Sequence, residues 1–134
     1  MKLAAAVVGV VMAGWAQTTR SVWDGVYTEE QAKRGGALYG KECARCHGPT
    51  LAGGEEAPAL EGGGFVANWN GLTLGDLFER TRTTMPQNDP GRLTRQQQAD
   101  VLAYVLRENR FPAGKVELEK QTEALKGIRF EAQP

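Results

Sequence analysis

Apolar residues are spread unevenly along the chain. Leu3 to Ala13 is almost wholly apolar and uncharged; beyond it, apolar positions return at helical spacing in three stretches. The clearest runs from Arg95 to about Asn109, where Ala99, Val101, Leu102, Tyr104, Val105 and Leu106 keep that spacing. Thr94 is placed to cap its start, and Pro112 and Gly114 end it. A second helix is predicted from Glu29 to about Lys41, with Thr28 as N-cap and Gln31 three residues on, as in a capping box. Its Ala32, Gly35, Gly36 and Tyr39 fall near one face. Glycine weakens a helix, so the adjacent pair predicts either a second helix packed close or a fray point. A short middle helix, Leu74 to Arg82, uses Leu74, Leu77 and Phe78 and is capped by Thr73 with Asp76.

Polar and glycine-rich stretches join these elements. Gln17 to Gly25 reads as an extended lead. Gly48 to Gly64 is a long loop, followed by apolar Phe65, Val66, Trp69 and Leu72. Thr83 to Arg92 is a second loop, punctuated by Pro86 and Pro90. Long structureless stretches inside a compact domain are usually functional or disordered. Lys115 to Pro134 is a charged tail in which Val116, Leu118, Leu125, Ile128 and Phe130 are the candidate docking residues; it either wraps the domain or reaches for a partner. No internal repeat is present. The pattern predicts an all-α chain divided into residues 1–16, 17–28, 29–114 and 115–134.

The first of these divisions reads as an export signal: a short basic start, an apolar run, then Gly14-Trp15-Ala16, with cleavage expected before Gln17. The alternative is a retained anchor, but the run is shorter than the roughly 20 residues that span a bilayer, so no stable membrane span is expected. Sixteen basic residues balance sixteen acidic ones, with both signs interspersed. Such a balance argues against a nucleic-acid-binding role.

Cys43, Cys46 and His47 change the picture. They spell C-x-x-C-H and include every cysteine and the only histidine of the chain. In this motif two thiols form thioethers with a haem and the following histidine is held against the iron. A structural zinc site needs four ligands, more Cys and His than the chain contains. A thioredoxin-like motif belongs in a βαβ unit, whereas Cys43 follows a helical pattern. A Cys43–Cys46 disulfide closes too short a loop to stabilise much. With no second histidine, the other axial position falls to a different residue. Met1 and Met12 lie in the signal segment, which leaves Met85, in Thr84-Met85-Pro86 between two helices. A thioether favours reduced iron and raises the potential. The alternatives are a core methionine filling a gap, a lysine ligand or an open position.

With these parts in this order, Glu29 to Asn109 resembles the small monohaem c-type cytochromes. The resemblance implies a small cytochrome c fold: first and last helices packed crosswise, a short middle helix, and long loops wrapping one covalently bound haem c. Gly35 and Tyr39 match the family's first helix, Val101 and Tyr104 its last, and Gly48 the glycine after the histidine. Ala57-Pro58-Ala59-Leu60 is similar to the family's proline segment, which implies that the Pro58 carbonyl accepts from Nδ1 of His47. Trp69, and Arg80 or Arg82, are implied as contacts of the haem propionates; for Trp69 plain core packing is the competing reading.

Trp23-Asp24-Gly25-Val26-Tyr27, Gly75-Asp76-Leu77-Phe78, Met85-Pro86 with Pro90-Gly91, and Phe111-Pro112-Ala113-Gly114 are similar to cytochromes associated with bacterial PQQ-dependent dehydrogenases. Arg110 departs from the commoner Asn-Gly-Phe-Pro wording. The expectation is a periplasmic electron carrier, not an enzyme, with His47 and Met85 on the iron. Its partners would be redox proteins, a PQQ-dependent dehydrogenase and a terminal oxidase among them. The rival is a haem enzyme or gas sensor with an open iron site, disfavoured by the lack of a second histidine as distal acid or base.

Overall fold

The structure, a computed structural model, describes residues 9–10 and 20–134. Apart from residues 9–10, the expected signal segment, its cleavage site and the start of the lead lie outside the described residues. The elements are β1 (Arg20–Ser21), a 3-10 turn (Val22–Asp24), α1 (Glu29–Glu42), α2 (Ala44–His47), α3 (Gly62–Trp69), α4 (Leu74–Thr84), α5 (Arg95–Glu108), α6 (Thr122–Leu125) and β2 (Ile128–Arg129). The fold is mostly helical, as a small cytochrome c fold requires. None of the described helices is long and apolar enough to cross a membrane.

The predicted N-caps form, but the box expected at Thr28 is only half made, because the Gln31 side chain turns to Leu118 instead. Thr28 accepts from the Gln31 amide, and Thr73 and Thr94 make reciprocal boxes with Asp76 and Gln97. These bonds satisfy main-chain donors that a helix start leaves unpaired. Two elements differ from expectation. Gly62–Trp69 is helical where the sequence suggests loop, then scattered apolar residues: three glycines are poor helix formers and Glu61 caps nothing with its side chain. The middle helix runs on to Thr84. Thr81, Thr83 and Thr84 return their hydroxyls to the carbonyls of Leu77, Glu79 and Arg80, and Thr83 and Thr84, read as loop, lie inside the helix.

Helices α1 and α5 pack tightly against each other. A Cβ on Gly35 would lie 1.7 Å from the Asp100 carbonyl oxygen, and one on Gly36 would lie 3.1 Å from the Tyr104 ring. The paired glycines therefore mark the close approach of α5 and not a fray. Arg34 forks onto the buried Asp100 beside this contact, with two hydrogen bonds of 3.2 Å.

Residues 115–134 wrap the body. Leu118, Leu125, Ile128 and Phe130 are buried in the core, while Val116 is exposed. The Gln31 side chain, fully buried in α1, pairs with both main-chain groups of Leu118, much as a neighbouring strand would. β2 lies parallel to β1, pairing Arg20 with Ile128 and Ser21 with Arg129. Phe130 stacks edge-on against Phe65 and Phe111, and Phe111 against Trp23. The lead and the Phe111–Gly114 segment thus meet in one joint: the Tyr27 hydroxyl donates to the Phe111 carbonyl at 2.6 Å, and the Gly114 amide donates to the Tyr27 carbonyl at 2.7 Å.

Candidate haem site

Below the α1–α5 crossing the chain encloses a cavity of about 1080 Å³. That is the upper end of what small-molecule and cofactor sites occupy. Its walls include Leu60, Phe65, Leu77, Leu102 and Val105, so much of the lining is apolar. Cys43, Cys46, His47, Pro58, Trp69, Arg80 and Met85 all line it. Arg82 does not: its guanidinium is turned onto Glu79 by hydrogen bonds of 2.7 and 2.9 Å. A salt bridge one helical turn away, invisible in the motif, takes Arg82 out of the site.

The motif is presented by a tight local fold. Cys43 ends α1, its amide donating to the Tyr39 carbonyl at 2.9 Å, and it also starts α2, the single turn that carries Cys46 and His47. The Tyr39 hydroxyl holds the far end of that turn by donating to the Gly48 carbonyl at 2.6 Å. His47 is buried, and its Nδ1 lies 2.8 Å from the Pro58 carbonyl oxygen. A carbonyl only accepts, so Nδ1 must carry the proton, and Nε2 is the nitrogen left with a free lone pair. The loop carrying Pro58 is itself braced: the Gly53 amide donates to the His47 carbonyl at 2.7 Å, and the Leu60 amide to the Leu51 carbonyl at 2.8 Å.

The two thiols are unbridged. Cys43 is half-buried, and this burial, with the nearby Glu42 carboxylate second, pushes its thiol up to about 11. It is therefore a neutral thiol in a dry setting and not a reactive thiolate. Met85 caps the end of α4, its amide donating to the Thr81 carbonyl at 2.9 Å, and Pro86 is buried behind it through a cis peptide. Lys41, Arg45, Arg80 and Arg92 stand around the cavity with Glu42 and Glu56, and Arg92 is ion-paired with Glu42.

A haem suits this site on three grounds: the apolar volume, a nitrogen ligand and a thioether on the same cavity, and two free thiols beside the nitrogen. Sequence reasoning passed over Asn109 and Gln98, whose amides bind main-chain carbonyls of the surrounding loops. Gln98 belongs to no motif, and Asn109 stands only as a helix end and the first residue of the altered Asn-Gly-Phe-Pro wording; their partners are backbone atoms, which no residue type marks.

Residues 30–105, more than half of the chain, match the family of cytochrome c oxidase, cbb3-type, subunit III. The structure is similar to the sulfane dehydrogenase SoxCD from Paracoccus pantotrophus, with a TM-score of 0.52 and 18% identity, covering 96% of this chain and 67% of that one. At that identity the likeness bears on the fold. No curated protein sequence matches the chain.

Proposed function

From the premise that this chain belongs to the cbb3-type cytochrome c oxidase subunit III family, and is therefore an electron-transfer protein with covalently bound haem c, we propose the following roles for its residues. Cys43 and Cys46 would carry the two thioether links, and His47, through Nε2, and Met85, through Sδ, would hold the iron. The observation that supports this most directly is the convergence of His47, Met85 and both thiols on one apolar cavity, with Nδ1 of His47 already committed to Pro58. Bound haem supplies a one-electron iron couple. The chain does the rest. Pro58 fixes the imidazole plane and tautomer and strengthens its donor character. Met85 favours the reduced state. Leu77, Leu102 and Val105 exclude water, which disfavours the more highly charged oxidised centre. Trp69 and Arg80 are the groups we assign to the haem carboxylates; Arg82, held by Glu79, is not.

With His47 and Met85 both holding the iron, no position would be left open for substrate, which supports single-electron shuttling; we place that role in the periplasm. The donor would be a dehydrogenase, of the PQQ-dependent class whose associated cytochromes residues 23–27 and 111–114 resemble, and the acceptor a component of the respiratory chain such as a terminal oxidase. The test is Met85→Ala, made in cells able to attach haem. The variant should remain red after acid–acetone extraction, lose potential relative to the parent, and bind carbon monoxide when reduced. A parent protein that binds carbon monoxide as readily as the variant would instead favour the open-site enzyme or sensor.

A further inference from the structure

The segment that carries Met85 and the loop that orients His47 are both fastened to α5, one near each end. Near its start, Gln98 is 2% exposed and donates through Nε2 to the Met85 main-chain carbonyl at 3.4 Å. The Met85 amide meanwhile donates to Thr81 of α4. The Met85 main chain is thus held from two helices. The orientation of the Gln98 amide follows from its partner: a carbonyl needs the nitrogen, so Oε1 points away. That oxygen is buried with no hydrogen-bond partner among the described residues. An apolar side chain of equal volume would fill the space without burying an unpaired acceptor. What the amide adds is direction.

At the other end, Asn109 donates through Nδ2 to the carbonyls of Leu60 at 2.9 Å and Val105 at 2.8 Å. Its Oδ1 accepts from the Gly62 amide at 3.1 Å. Leu60 stands two residues beyond Pro58, whose carbonyl orients His47. Two of these hydrogen bonds tie the Leu60–Gly62 segment to Asn109 at the end of α5, and the third, to Val105, fixes Asn109 on its own helix.

We propose that Gln98 and Asn109 are positioning residues, through which a single helix sets the placement of both axial groups: Gln98 that of Met85, and Asn109, through Leu60 and Pro58, that of His47. The proposal rests on the assignment of His47 and Met85 as ligands. The experiment uses the full chain with haem attached and begins with the parent. Ferric parent protein should show the weak long-wavelength band of a thioether on iron, and Met85→Ala should abolish it; a parent without the band overturns the ligand assignment itself.

With the band present, Gln98→Leu should weaken it and let added imidazole displace the thioether at about tenfold lower concentration, the scale of one lost hydrogen bond. Asn109→Ala should leave imidazole affinity within about twofold of the parent while moving the proton resonances of the His47 ring. If either variant yields no red protein, the near-isosteric Gln98→Met or Asn109→Leu, which has no N–H or O–H to donate, takes its place with the same expectation. Unchanged imidazole affinity in the Gln98 variant overturns the proposal. So does an equal rise in both variants, since that would report general loosening and not two separate attachments.

Discussion

At the end of α5 the main chain turns through Arg110, whose φ of 66° lies in the left-handed region that favours glycine. The turn is nonetheless complete. The Arg110 amide donates to the Arg107 carbonyl at 2.9 Å and the Phe111 amide to the Leu106 carbonyl at 3.1 Å, with Leu106 and Phe111 both buried. This is the pairing by which helices commonly stop. Arg110 bears the strain because that pairing and the packing of Phe111 over-determine its backbone. Arg110→Gly should therefore raise stability by about 0.5–1 kcal/mol, the relief of strain less the added freedom of the unfolded chain, measured by guanidinium unfolding. A fall in the midpoint would show that the arginine side chain contributes more than its strained backbone costs. At this scale the haem motif was legible because its chemistry is contiguous in sequence. Asn109 was legible only as a helix end, because the Gly62 amide and Leu60 carbonyl it binds lie 47 and 49 positions earlier.

Among the elements, α1 and α5 decide the architecture, and their contact depends on Gly35. With a Cβ placed 1.7 Å from the Asp100 oxygen, Gly35→Ala forces backbone from backbone and should cost about 3 kcal/mol or more. Gly40 lies on the same helix with nothing within 4 Å of its would-be Cβ. Gly40→Ala should instead raise stability by roughly 0.5–1 kcal/mol, as expected of an unobstructed helical site. Thermal unfolding of the two variants side by side checks both signs. The same physics explains what could be read in advance. α1, α4 and α5 announce themselves by capping side chains and helical periodicity. α3 does not, because Gly62, Gly63 and Gly64 open it without a cap. The final stretch does not either: Leu118, Leu125, Ile128 and Phe130 follow no single period, since each is buried by tertiary packing and not by one regular element.

Across the whole molecule, pH enters through two buried phenols. Burial above all, with Glu29 second, pushes Tyr27 up to about 12, and burial, with Cys43 second, does the same for Tyr39. Both hydroxyls donate to carbonyls that hold the fold together, those of Phe111 and Gly48. An unfolded tyrosine ionises near 10. The folded state therefore keeps protons that the unfolded state releases between 10 and 12. Their contribution is fully present below pH 10 and is lost as pH climbs toward 12. Denaturant midpoints at pH 9 and 11 should fall in that order, and Tyr27→Phe should flatten the dependence; an equally steep fall in that variant would place the titration elsewhere.

The pairing of Arg20–Ser21 with Ile128–Arg129 puts the two extremities of the described fold at one address on its surface. A neighbouring domain or tether joined at either extremity would depart from there, leaving the remaining surface free to pivot. A body hung from a single corner can offer its face first to one protein and then to another by swivelling, with no internal rearrangement between the two visits.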